Sequence, residues 1–225
     1  MKRLTMTLCA LLMSSAAHAL SGSDAIPSHG IGTTPIDPKT AEQCGMSMNV
    51  PNLKSPYDET FSFGCSGTYK NGGIGSLGVV YNTRPGDTVS FDIRGIGIDQ
   101  RIASGKSSLF RLGHGDSQPT LADGFSYPWS GCGPVVKTTI TPLHGVNWHG
   151  WIAEDTFQTP RRGCIPGDRD FTSDYRCIHV MVGNDKMTAE LDNVCLLRKR
   201  EYDLYNGFSY DLFMDMLKTL RFKEG

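Results

Sequence analysis

The chain has 225 residues, 39% of them hydrophobic, with 22 basic and 23 acidic side chains and a formal charge of −1. Near neutrality argues against the basic field that binding to nucleic acid or an anionic membrane requires. The length suits one domain large enough to bury a real hydrophobic core.

Residues 1–19 read as a secretory signal peptide. Lys2 and Arg3 form a positive start, "LTMTLCALLMSSAA" an apolar core, and Ala17-His18-Ala19 a cleavage pattern. The apolar run is too short to span a bilayer, so no stable membrane insertion is expected. Cleavage after Ala19 would leave 206 residues with 20 basic and 23 acidic side chains. The expected location is the bacterial periplasm or the exterior. The exported chain would keep six cysteines, Cys44, Cys65, Cys132, Cys164, Cys177 and Cys195. An even number in an exported chain suggests disulfides, and six cysteines allow 15 full pairings. Pairing of sequence neighbours is favoured here: Cys44 with Cys65, Cys132 with Cys164, Cys177 with Cys195.

Residues 20–60 are rich in Gly, Pro, Ser and Thr, which predicts an extended lead-in tied down at Cys44. A single α+β domain is expected over 61–225. "SLGVVYN" followed by the turn signal "TRPGD" predicts a hairpin with "TVSFDIR" (88–94), in which Val89, Phe91 and Ile93 alternate with polar residues. Long irregular stretches are expected at 99–131 and 154–176. "PVVKTTI" (134–140) and "CIHVMV" (177–182) read as strands, and "GND" at 183–185 as a turn. "DKMTAELDNVCLL" (185–197) fits either period and is read as a strand because a turn precedes it. The last element is a helix: Phe208, Leu212, Phe213, Met216, Leu217 and Leu220 form one apolar stripe. Ser209 is its expected cap, and Lys218 and Arg221 lie in its expected last turn. Strands closed by this helix predict an α+β fold, an antiparallel sheet packed by a C-terminal amphipathic helix, with long loops restrained by disulfides.

The succession "GVNWHGW", "YRCIHVMV" and "FMDMLKTLRF" resembles the last part of PsbP-like domains. There a strand, a hairpin and a helix with a short tail follow in that order, and "KTLRF" stands in the tail position. The likeness covers about the last eighty residues and rests on element order. Some exported immunity proteins of bacterial toxin systems share this layout. The resemblance implies an α+β fold and a binding role toward a toxin, in the sense of an immunity or inhibitor protein. The six cysteines and long loops depart from the pattern.

Motif by motif, catalysis has little support. "GIGSLG" (73–78) matches G-x-G-x-x-G but is followed by β-like "VVYN" where phosphate binding needs a helix. There is no G-x-S-x-G, no C-x-x-C and no H-E-x-x-H. Met46 and Met48 beside Cys44 read as packing on a disulfide and not as a soft-metal site. No cofactor and no metal is expected. "HGVNWHGWIAED" (144–155), read as one strand, places His144 and His149 on opposite faces. The same parity puts Val146, Trp148 and Ile152 on a core face, with His149 and Trp151 opposite. Trp151 would then either pack under the terminal helix or face a partner. The expected function is binding to another envelope protein through His149, Trp151, Arg161 and Arg162. Two alternatives stand beside it: a secreted hydrolase with His149 as base and Asp155 as its orienter, and an envelope binder of a small molecule or metal.

Overall fold

The computed structural model describes residues 25–27, 33–51, 62–78, 80–81, 84–85, 89–107, 110–113, 119–121, 135–157, 175–198, 201–203 and 209–224. The expected signal peptide, Cys132, Cys164, Arg161 and Arg162 lie outside these residues. The elements are β1 (Ala25–Pro27), β2 (Thr33–Pro35), α1 (Pro38–Cys44), β3 (Met46–Ser47), β4 (Asn49–Pro51), β5 (Ser62–Thr68), β6 (Gly72–Gly78), β7 (Val80–Tyr81), β8 (Arg84–Pro85) and β9 (Val89–Arg94). They continue with α2 (Ile98–Ala103), β10 (Phe110–Arg111), β11 (Thr120–Leu121), β12 (Val135–His144), β13 (His149–Phe157), β14 (Tyr175–Gly183), β15 (Thr188–Leu197), β16 (Glu201–Asp203), α3 (Tyr210–Thr219) and β17 (Arg221–Phe222).

A seven-stranded sheet in the order β12-β13-β14-β15-β9-β6-β5 organises the fold. Every neighbouring pair in it is antiparallel. The fold is therefore mixed and mostly antiparallel sheet, with three helices among the described residues. "GIGSLG" lies within β6 and pairs with both β5 and β9, so no helix follows it. Gly75 of β6 faces the core, where a Cβ would stand 2.7 Å from Phe63 Cζ and 2.8 Å from Ile93 Cδ1. Between β14 and β15 the Asn184 carboxamide oxygen accepts from the backbone N–H of Lys186 at 2.9 Å and of Met187 at 2.8 Å. That Asx turn explains why "GND" ends one strand and starts the next.

Strand alternation gives the sheet two faces. On one, Phe91, Ile93, Ile152, Ile178, Val180, Val182, Ala189 and Leu191 are buried in the main core. Leu212, Phe213, Met216 and Leu217 of α3 belong to the same cluster, with Phe213 stacked on Phe91 at 6.1 Å between centroids. Ser209 occupies the cap position of α3, but its side chain makes no capping hydrogen bond. Arg221 lies beyond the helix, in β17, because Leu220 turns to extended backbone and β17 pairs with β3.

The opposite face carries a second cluster of Ile98 and Ile102 from α2, Phe110 from β10, Ala153 and Met181. Trp151 packs against it half-buried. Of the two alternatives that strand parity leaves for Trp151, packing under the terminal helix is replaced by packing against the α2 and β10 cluster. The stretch from residue 99, expected to be irregular, opens inside α2. The N-terminus of α2 docks on the β14–β15 turn, with Ile98 N–H donating to Asn184 O at 2.9 Å. Gly97 permits that approach, since a Cβ there would stand 2.2 Å from Asp185 O.

The lead-in is also corrected. Asp37 caps α1 by accepting from Thr40 N–H at 2.9 Å, Pro38 opens the helix, and Gly45 ends it in the left-handed region at φ 68°. Met46, Met48 and Val50 follow into the main core. Gln43 Nε2 donates to the carbonyls of Cys65 at 2.9 Å and Gly67 at 2.8 Å, so α1 covers the edge strand β5. Disulfides join Cys44 to Cys65 and Cys177 to Cys195. The second links directly opposed residues of β14 and β15.

Candidate functional site

The 144–155 stretch is not one strand. Gly145 N–H donates to Trp148 O at 2.9 Å, so Val146 and Asn147 form a two-residue turn between β12 and β13. A Cβ at Gly145 would stand 2.0 Å from the Trp148 ring, which explains a glycine there. The turn reverses the parity expectation: His144 and His149 are register partners and share a face. Val146, expected in the core, is 62% exposed at the turn. Trp148 is buried as expected, and its Nε1–H donates to Leu220 O at 2.8 Å. Asn147 brackets β17: its Nδ2 donates to Phe222 O at 2.7 Å, and its Oδ1 accepts from Phe222 N–H at 3.1 Å.

His149 is half-exposed, with Nε2 3.9 Å from Asp99 Oδ1 of α2. Its ring meets Trp151 edge-on at 5.8 Å between centroids. Pro142 is the register partner of Trp151. The hairpin end therefore presents His144, His149 and Trp151 together, an amphipathic patch of the residue types that anchor protein contacts.

Asp155 does not orient His149. Its carboxylate holds His179 Nε2 at 2.8 Å and accepts from Thr138 Oγ1 at 2.6 Å. The Asp155 and His179 side chains are fully buried. Six residues along a strand separate His149 from Asp155 by about 20 Å, so the pair required by the hydrolase alternative does not exist. A second polar centre surrounds Arg101 of α2, 1% exposed. Its Nη2 lies 2.7 Å from Asp92 Oδ2 and 2.6 Å from Glu190 Oε2, and its Nη1 donates to Thr188 Oγ1 at 3.0 Å. Ser107 Oγ donates to Glu190 Oε1 at 2.7 Å. These interactions fasten α2 to the sheet.

A third group lies on the main-core face. Arg176 is paired to Glu154 through Nε at 2.9 Å and through Nη2, and stacks on Tyr210 with its guanidinium carbon 3.8 Å from the ring centroid. The hydrogen bond that Arg176 donates to Glu154 is the main cause raising the Arg176 pKa above its ordinary value, against partial desolvation. Burial raises the Tyr210 phenol, and the Arg176 charge opposes that rise. An open groove of about 410 Å³ lies between α1, β3 and β17. Lys223 and Glu42 form an ion pair on its rim, and that bond raises the lysine pKa.

Among the described residues, no group of three or more His, Cys, Asp or Glu side chains is placed to hold a metal ion. No helix among them is long and apolar enough to cross a membrane. The two disulfides point to an oxidising, non-cytoplasmic compartment. Comparison of the chain with family models, characterised proteins and solved structures returned no match. Sequence reasoning singled out His149 and Trp151 but missed the Asp155–His179 and Arg101–Glu190 pairs, whose partners are 24 and 89 residues apart.

Proposed function

We propose that the chain is an exported, disulfide-bonded binding protein of the bacterial cell envelope that acts through protein–protein contact. In the form suggested by its resemblance to PsbP-like domains and exported immunity proteins, its partner is a toxin and its role is that of an immunity or inhibitor protein. In this reading the contact residues are His149 and Trp151 together with Arg161 and Arg162, and α3 backs the sheet. The observation that carries it is the half-exposed edge-to-face pair of His149 and Trp151 at the end of the β12–β13 hairpin. The Asp155–His179 pair is sealed from solvent, which supports binding over hydrolysis.

The test is affinity capture from envelope extract with the wild-type protein and a His149→Ala/Trp151→Ala variant as parallel baits. A protein retained stoichiometrically by the first and lost from the second supports the proposal. Equal retention by both baits counts against this surface. Hydrolysis of a substrate panel that survives loss of His149 would favour catalysis elsewhere in the molecule.

A further inference from the structure

We propose that His144 and His149, with Asp99 of α2, form an open site for a late first-row divalent cation of the Zn²⁺ or Cu²⁺ kind. Parity along a single strand would set the two histidines apart, and the turn at Val146–Asn147 brings them together. The Gly145 N–H to Trp148 O bond closes the hairpin one step beyond them, so His144 and His149 face each other as a non-hydrogen-bonded pair. In such a pair the Cα atoms stand about 4.5 Å apart and the side chains are at their closest. Two imidazoles on adjacent strands can then reach one ion, with nitrogen–metal bonds of about 2.0–2.1 Å.

Asp99 adds a carboxylate from a different element. It lies in the first turn of α2, with Oδ1 3.9 Å from His149 Nε2. That separation is too long for a direct hydrogen bond but short enough for one ion to bridge the two atoms, since ligands bound at about 2.0–2.1 Å can stand up to about 4 Å apart. The backbone beneath Asp99 is held in place: Ile98 N–H donates to Asn184 O, and Arg101 pairs with Asp92 and Glu190.

The side chains themselves can adjust. His144 is exposed, and the Asp99 side chain is 90% exposed. No three of the described ligand-type groups are gathered round one point in the free protein, so binding turns the His144 ring toward His149 and Asp99. Imidazole and carboxylate donors suit zinc or copper, whereas an all-oxygen set would suit magnesium or calcium. Three protein ligands leave a coordination position open for water or for a donor group from another molecule.

The experiment is calorimetric titration of Zn²⁺ into the full exported protein, disulfides intact, without a histidine tag and with no partner present. One ion should bind per chain and raise the melting temperature. His144→Gln and His149→Gln should each weaken binding at least about tenfold, and Asp99→Asn should weaken it by a smaller factor. All three side chains are exposed or half-exposed, so the metal-free variants should melt with the wild type. Cu²⁺ should bind at the same site and quench Trp151 fluorescence, because that ring lies 5.8 Å from the His149 ring. Trp151→Phe should lose most of this quenching and keep the Zn²⁺ affinity, so the metal site and the protein contact at the same hairpin end fail separately. Absence of Zn²⁺ binding to the wild type, or wild-type affinity in either histidine variant or in Asp99→Asn, would each overturn the proposal.

Discussion

Replacing Arg101 with Met should destabilise the fold far more than a surface change. The methionine keeps most of the volume of the arginine stem, so packing is little altered. What is lost is a guanidinium 2.6 Å from Glu190 Oε2 and 2.7 Å from Asp92 Oδ2. Asp92 is 38% exposed and can rehydrate, but Glu190 is 2% exposed and loses the guanidinium that compensates its burial. Removing one partner of a buried ion pair costs about 3–5 kcal/mol. At about 2–4 °C per kcal/mol for a chain of this size, the melting temperature should fall by roughly 6–20 °C. The double variant Arg101→Met/Glu190→Met removes both charges and should recover at least half of the loss, since apolar replacement of a whole buried pair is often neutral. Urea and thermal unfolding followed by far-UV circular dichroism measure both. A single variant within about 1 kcal/mol of wild type would refute this reasoning, as would a double variant no more stable than the single.

The remaining predictions concern other parts of the fold. Trp148→Phe keeps an aromatic ring in the core but orphans the Leu220 carbonyl, and should cost about 1–3 kcal/mol in urea unfolding. The Cys177–Cys195 bridge closes a loop with a sequence separation of 18, so the double Ala variant should lose about 3 kcal/mol by the loop-entropy relation. Tyr210 should ionise above the ordinary 10.0 in a titration followed at 295 nm, and Tyr210→Phe should remove that late component. Its folded pKa is raised, so its contribution to stability is full below the unfolded value and is lost as pH rises through the folded one.

What could be read in the sequence divides along physical lines. Period-two alternation identified β9, and the apolar stripe identified α3, because each element shows its buried face within ten residues. The caps of α1 were also readable: Asp37 and Pro38 before it and Gly45 after it form a start and stop signal, masked by the surrounding prolines. The parity expected for 144–155 fails because Val146 and Asn147 form a two-residue turn, which reverses the relation of His144 to His149. The same turn carries Val146 out of the core. The buried centres were beyond local reading, since Asp155 meets His179 and Arg101 meets Glu190 only once the sheet is assembled and α2 is laid on it. Those same contacts remove Asp155 from the candidate site and leave His149 with Trp151.

The central claim is that this molecule binds a protein partner through the β12–β13 hairpin end. The most direct measurement is calorimetric titration of the captured partner with the wild-type protein and with Trp151→Ala at matched pH and salt. A half-buried tryptophan at the centre of a contact should contribute about 2 kcal/mol or more, so the affinity of the folded variant should fall roughly thirtyfold. Unchanged affinity for Trp151→Ala, with the variant folded, would contradict the claim.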